Sequence, residues 1–525
     1  MGVGRSLGVA LIGVHGHLVE VEADVASGLP AFTLVGLPDT SLVESRDRVR
    51  AASANSGCPL PPRRITVNLS PAALPKAGTG FDLAVAAALL AAAGRVEPGS
   101  TQDWVHVGEL GLDGRVRRVR GVLPSVMAAV RAGFPRVVVP AENAGEARLV
   151  PGAEIRPVGH LLDVLGLHGG EMPDGVVTPE DGTEPPGWRA PRAPADGPGT
   201  SRILPGGDLA DVVGQREARR AVEVAAAGGH HLLLLGPPGA GKTMLAARLP
   251  GLLPDLDDAQ ALEVSAVHSV AGTLDPSTGL LRRPPFEDPH HTTTITALAG
   301  GGNGLPRPGA ASRAHRGVLF LDEAAEFHPR ALDALRQPLE QGELVIHRAL
   351  GSARFPARFL LVLAANPCPC GRSVGKGLEC TCSPTVRRRY LARLSGPLLD
   401  RIDLQVQVLA VSRAEMASGH VPEDTAAVAA RVASARAAQR ERLCGTPWTC
   451  NGEVPGSWLR GSARLPSPVT RDLDRALDRH QLTVRGYDRV LRVSWSLADL
   501  AGRSRPDRDD VGRALLLRSR QGVPA

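Results

Sequence analysis

Leu232-Leu233-Leu234-Leu235-Gly236-Pro237-Pro238-Gly239-Ala240-Gly241-Lys242-Thr243 decides the reading of this 525-residue chain. The leucines form a short apolar run closed by turn residues, the pattern of a buried strand. The turn matches G-x-x-x-x-G-K-[ST], and Met244-Leu245-Ala246-Ala247-Arg248-Leu249 continues as helix. Strand, glycine-rich loop and helix N-terminus in that order are the context in which this motif cradles a triphosphate. The loop Gly236, Pro237, Pro238, Gly239, Ala240 and Gly241 brings backbone N–H groups and the positive helix end to the phosphate oxygens. Lys242 is expected to reach the β- and γ-phosphates of ATP, and Thr243 to hold Mg²⁺. The competing reading, a glycine-rich turn without a ligand, is disfavoured by the strand and helix on either side.

Downstream, Gly317-Val318-Leu319-Phe320-Leu321-Asp322-Glu323 is an apolar strand ending in two acids, the Walker B pattern. Asp322 suits the Mg²⁺ shell, and Glu323 suits orienting or deprotonating the attacking water. A third apolar strand, Phe359 to Ala365, ends at Asn366, whose amide suits a γ-phosphate sensor; its alternative role is that of a turn residue. In Ser395-Gly396-Pro397-Leu398-Leu399-Asp400-Arg401-Ile402-Asp403, Arg401 is expected to serve a neighbouring subunit's γ-phosphate, against the alternative of an internal salt bridge. Cys368-Pro369-Cys370 and Cys380-Thr381-Cys382 supply four thiols for a structural Zn²⁺. Their spacing is C-x-C rather than C-x-x-C, so reduced thiols on a loop stand as the alternative. Residues 413–525 read as mostly helical. Arg485, just before the helix around Tyr487 to Leu500, is a candidate second sensor or a solvated charge.

Lys and Arg number 60 against 54 Asp and Glu, a mildly basic balance that permits an anionic partner without demanding one. Aromatics are only 3%, which argues against a base-stacking platform. No stretch reads as a cleavable leader or as long enough to span a bilayer, so no membrane partner and a cytoplasmic location are expected. Residues 1–166 alternate strand-like and helix-like segments, including a helix from Ser41, with Ser41 as cap and Glu44 at the capping-box position, and an apolar helix from Phe81 to Ala93. Residues 167–206 carry eight prolines from Pro173 to Pro205 and read as an extended linker. Residues 207–412 hold the phosphate-binding chemistry.

Taken together, the two Walker motifs, Asn366, Arg401 and the helical C-terminal part resemble an AAA+ ATPase. Ala225-Ala226-Ala227-Gly228-Gly229-His230, Pro289-His290-His291-Thr292, His315 to Glu323, Asn366 to Gly371 and Ser395 to Asp403 narrow the resemblance to the YifB/ComM family of magnesium-chelatase-like AAA+ proteins. Gly28-Leu29-Pro30, Val35 to Pro38, Val67-Asn68-Leu69 and Phe81-Asp82-Leu83 extend it toward the N-terminus. The resemblance implies an α/β protein in three parts: a Lon-protease-like (ribosomal S5 domain 2-like) domain over 1–166, a P-loop AAA+ core over 207–412, and a C-terminal helical lid over 413–525. The Ser–Lys dyad of a Lon protease is missing, because neither Lys76 to Phe81 supplies the serine nor Val122 to Met127 the lysine, so the first domain is expected to be non-proteolytic. The resemblance also implies an extra β-hairpin, Gly342 to Arg348 with Ala353 to Pro356, facing the channel of a hexameric ring. Arg348 and Arg354 are then candidate contacts to a DNA backbone, with ordinary ion pairing as the alternative. The implied activity is ATP-driven translocation on DNA, as in ComM-like branch migration. A magnesium-chelatase-like motor subunit, a protein-remodelling ATPase and a non-hydrolysing switch are the alternatives.

Overall fold

The computed structural model describes residues 2–518 except 37–38, 77, 174–206, 303–305, 349–350, 374–378, 412, 414 and 416–421. Most of the expected linker, 174–206, therefore lies outside the described residues, as do Leu37 and Pro38.

Two sheets organise the chain. The first runs in the order Ala31–Val35, Arg64–Ser70, His15–Ala26, Gly4–Ile12, Val105–His106, Arg136–Pro140, Glu154–Val158. Gly4–Ile12 and His15–Ala26 form an antiparallel hairpin, and the strands beyond Gly4–Ile12 add in parallel. Helix Asp82–Ala92 lies against it, with every residue buried except Ala91. A row of alanines and leucines is apolar on all sides, and such a helix belongs in a core. Asp82 enters that core paired: Arg48 donates to both carboxylate oxygens at 2.6 and 2.9 Å, and Leu110 N donates at 3.1 Å. Helix Thr40–Asn55 is capped by Asp39, which accepts from Leu42 N at 2.8 Å, not by Ser41. The extended backbone at Asp39 puts a carboxylate where the free N–H groups are, so the helix begins before Ser41. Glu44, expected in a capping box, instead lies 3.8 Å from Arg48, one turn along the helix.

The second sheet is parallel throughout, in the order Phe286–Glu287, Val318–Leu321, Leu360–Ala365, Leu232–Leu235, Leu404–Gln407. Leu232–Leu235, earliest of these in the chain, sits between Leu360–Ala365 and the later Leu404–Gln407. The chain leaves Leu232–Leu235 for Phe286–Glu287 at one edge, and leaves the adjacent Leu360–Ala365 for Leu404–Gln407 at the other. In an open parallel sheet, ligands bind outside the carboxyl ends of the strands at such a switch point. One sheet face shares its core with helix Arg216–Gly228 and with the helices Thr425–Arg442, Ser467–Asp478 and Val484–Leu500. The other face packs against Leu298, Phe327, Leu332 and Ile402. Glu343–Arg348 and Gly351–Pro356 pair antiparallel as the expected hairpin.

The two sheet units meet along helix Val122–Arg131 and helix Asp258–Ala271, with Val122, Val126 and Ala266 in one apolar cluster. At that joint Glu146, only 3% exposed, accepts from Leu123 N at 3.0 Å, from Asn143 Nδ2 at 3.2 Å and from the Ser269 hydroxyl. Among the described residues no helix is long and apolar enough to cross a membrane.

Candidate nucleotide site

Three strand ends converge at the switch point. Leu232–Leu235 leads into the phosphate loop, where Gly239 and Gly241 take φ of +75° and +86°, and Lys242 opens helix Lys242–Arg248. Those left-handed angles turn the loop back on itself and are strained for any side chain. Lys242 is 8% exposed and folds over its own loop: Nζ donates to the carbonyls of Gly236 at 2.7 Å and Pro237 at 2.9 Å, and to Asn366 Oδ1 at 3.1 Å. Burial pushes the ammonium down, opposed by the charges of Asp322 and Glu323. Among the described residues, neutral carbonyls leave this cation without a formal counter-charge in hydrogen-bond contact, which suits an incoming polyphosphate.

From the neighbouring strand, Asp322 Oδ2 accepts from Thr243 Oγ1 at 2.6 Å. Hydroxyl and carboxylate are oxygen ligands of the kind Mg²⁺ takes, and the pair bridges the two strands expected to share the ion. Glu323 follows with φ of +49°, an uncommon backbone for a non-glycine residue. Its N–H donates to Asp322 Oδ1 at 2.8 Å, and its Oε2 lies 3.2 Å from His291 Nδ1. From the third strand, Asn366 completes the group through Lys242. Two side-chain pairs, Lys242 with Asn366 and Thr243 with Asp322, thus tie the phosphate loop to the strands on its side of the sheet, joined to each other through the adjacent backbone of Lys242 and Thr243, with Glu323 next in the chain.

The arginines are placed differently. Arg401 is 8% exposed, ion-paired with Glu340 of its own chain and donating to the Pro397 carbonyl, while its Nε has no partner among the described residues. Arg485 lies inside helix Val484–Leu500 rather than before it, because Thr483 caps that helix by accepting from Gly486 N at 3.1 Å. It is exposed, and no hydrogen bond or ion pair among the described residues ties it to the phosphate loop. One turn on, Arg489 pairs with Asp403, which is 2% exposed and accepts from His231 N at 3.2 Å. Arg354 pairs with Glu343 across the hairpin at 2.9 Å, and the side chain of Arg348 lies outside the described residues.

The four cysteines gather. Sulfur separations are 3.3 Å for Cys368–Cys370 and 3.7 Å for both Cys368–Cys380 and Cys370–Cys380, and all four including Cys382 lie within 4.8 Å of one another.

Three residues escape a reading of local pattern. His291 faces Glu323, Glu340 holds Arg401, and the Gln215 amide donates to the carbonyl of Ala240 in the phosphate loop. His291 already stands in a distinctive Pro-His-His-Thr run; the other two have no local signal.

A parallel sheet with a phosphate loop at its switch point, acids ending the adjacent strand and an amide ending the next defines a P-loop protein of the AAA+ class. Comparison with known proteins narrows this. The family model for magnesium chelatase, subunit ChlI, matches residues 208–416; that for subunit ChlI of Mg-chelatase matches 21–143; and that for the ChlI C-terminal part matches 422–518. The chain is 52% identical to an uncharacterized protein of Mycobacterium tuberculosis over 99% of both chains. It is 39% identical to competence protein ComM of Haemophilus influenzae, over 96% of this chain and 95% of that one. With the uncharacterized protein YifB of Escherichia coli the identity is 40%, over 94% and 92%. A shorter stretch is 32% identical to Lon protease 2 of Bacillus subtilis, over 26% of each chain. The chain belongs to the YifB/ComM family of magnesium-chelatase-like AAA+ proteins.

Proposed function

We propose that this protein is an ATP-hydrolysing ring motor that acts on DNA. The observation that carries the hydrolytic reading is the pairing of Lys242 with Asn366 and of Thr243 with Asp322, beside Glu323. In this reading the N–H groups of Gly236 to Gly241 and the Lys242 ammonium receive the phosphates, displacing the loop carbonyls from Lys242. Thr243 and Asp322 would hold Mg²⁺, which would supply charge neutralisation to the bound phosphates. Glu323 turns from His291 to orient the attacking water and take its proton, while Asn366 reads the γ-phosphate. Arg401 leaves Glu340 to complete the site of the next subunit in a hexameric ring, and Arg485 acts as the second sensor from the helical lid, residues 413–525. Residues 1–166 form a Lon-like domain without a Ser–Lys dyad, and the soluble assembly is cytoplasmic. The four thiols complete the cofactor set as a Zn²⁺ site.

DNA as the client is supported by the printed name of the ComM relative, a competence protein, and by a basic surface. Arg118, Arg120 and Arg307 are exposed, and among the described residues none is in salt-bridge contact with an acid, although Arg118 stands near enough to Asp275 to help lower its carboxyl. They approach from both units: Arg120 reaches over Gly272 at the end of helix Asp258–Ala271, and Arg307 bridges Gly301. Burial, then the positive charges of Arg307 and Arg118, lowers the Arg120 guanidinium. Crowded like charges of this kind are relieved by a phosphate backbone.

ATP turnover measured with and without forked DNA at two salt concentrations tests the reading. DNA should stimulate the wild type, less so at high salt, and the triple variant R118A/R120A/R307A should lose that stimulation while keeping basal turnover. E323Q should bind ATP and turn over about 10²- to 10⁴-fold more slowly. Unchanged turnover in E323Q refutes the hydrolytic scheme. Basal turnover indifferent to DNA would instead favour the magnesium-chelatase-like motor subunit that the matching family models suggest.

A further inference from the structure

The four thiols take no part in phosphate chemistry, yet they stand where three parts of the nucleotide site come together. Cys368 is fully buried two residues beyond Asn366. Gly371, one residue past Cys370, rests on the phosphate loop with φ of +74°, so close that a Cβ there would lie 2.4 Å from Pro238 Cδ. Cys382 directly precedes Ser383, which caps helix Pro384–Leu391 by accepting from Val386 N, and that helix leads to the segment bearing Arg401. One cluster therefore touches or adjoins the sensor strand, the phosphate loop and the approach to the arginine.

The sulfur geometry is that of a metal cage. Four sulfurs about 2.3 Å from a central Zn²⁺ form a tetrahedron with edges of about 3.8 Å. Two of the sulfur separations here are 3.7 Å, a third is 3.3 Å, and all lie within 4.8 Å. A disulfide would need about 2.05 Å, and all four cysteines are free. Four thiolates in a tetrahedral set select Zn²⁺ or an iron–sulfur cluster over harder ions.

We infer that one Zn²⁺ bound by Cys368, Cys370, Cys380 and Cys382 positions the nucleotide site, holding Asn366 and the Pro237-Pro238 turn in working register. The inference rests on the ATP site proposed above. Without the metal, Gly371 loses its anchor on one side, the phosphate loop loses its buttress at Pro238, and Asn366 is free to leave Lys242. Misplacement of reacting groups by about 1 Å costs on the order of a hundredfold in rate.

The experiment measures zinc per chain by elemental analysis, affinity for a fluorescent ATP analogue and ATP turnover on the full-length protein. Wild type should carry one zinc. C380S/C382S should lose it together with on the order of a hundredfold in turnover. Releasing the metal from wild type with a thiol-blocking mercurial and a chelator, then restoring thiols and zinc, should abolish and recover turnover. G371A keeps all four thiols, so it should retain zinc yet lose affinity and turnover through its contact with Pro238; it also decides the matter should the cysteine variants not fold. Iron or no metal in the wild type overturns the metal assignment. Full turnover after zinc loss, or in G371A, overturns the positioning role. A wild type that carries zinc but fails to bind ATP refutes the nucleotide reading instead.

Discussion

Replacing Glu340 with glutamine tests whether Arg401 is held in reserve. In the single chain the Arg401 guanidinium, 10% exposed, pairs with a Glu340 carboxylate that is 55% exposed. Water reaches that carboxylate, so the pair is worth about 0.5–1 kcal/mol rather than the value of a buried one. Removing the charge shifts the equilibrium between held and released arginine by about twofold to fivefold, since RT is about 0.59 kcal/mol. If Arg401 acts on the neighbouring subunit's nucleotide, turnover per chain in E340Q should rise by that factor at protein concentrations where assembly is incomplete. The gain should shrink as the ring saturates. A coupled ATPase assay across a concentration series reads this directly, with R401A and the double variant E340Q/R401A as controls. Identical curves for E340Q and wild type refute the reasoning, and so does a gain that survives in the double variant.

Acidification should destabilise the fold before the carboxylates titrate. His106 and His268 are 0% and 2% exposed, and burial above all pushes them down to about 3 and about 4. Both are neutral when folded and take a proton near pH 6.5 when unfolded, so their contribution is complete above about pH 6.5 and is lost as pH falls toward the folded values. By pH 5 each costs about 2 kcal/mol relative to pH 7, and a urea midpoint that does not fall between pH 7.5 and 5.0 overturns this. Asp403→Asn should destabilise the contact between helix Val484–Leu500 and the sheet by about 3–5 kcal/mol, because it leaves Arg489 facing no charge. Burial would raise the Asp403 carboxyl, but Arg489 and His230 hold it well below the usual range. Hydrogen exchange over that helix measures the loss, and unchanged protection speaks against it.

How much could be read from the chain depended on distance along it. The strand Leu232–Leu235, the acids after Val318–Leu321 and the amide after Leu360–Ala365 each follow an apolar run, and such runs are local. Their convergence needs only the rule that parallel strands bring their carboxyl ends to one edge. The strand His15–Ala26 is less obvious, although Val19, Val21, Ala23 and Val25 alternate inward as a half-buried strand should. Leu404–Gln407 is too short for any period to show, and its place in the sheet is set by pairing with Leu232–Leu235. The cap at Asp39 instead of Ser41 reflects competition between two good capping residues two positions apart, which spacing alone does not resolve. His291 with Glu323 and Glu340 with Arg401 join positions 32 and 61 residues apart. Nothing in either neighbourhood announces the partner.

Glu146 gives the joint between the two sheet units a mechanical character. An oily contact between Val122–Arg131 and Asp258–Ala271 could glide, whereas this one has a carboxylate seated inside it. Sliding would strip that charge of Ser269 while water stays shut out, a steep toll for small travel. Helix Asp258–Ala271 also grips the Walker B side, since Glu263 bonds Arg316 at 2.7 Å just ahead of Val318–Leu321. If the proposed motor makes a stroke at the phosphates, this stiff linkage would carry it to the N-terminal sheet, which would swing like the arm of a crank.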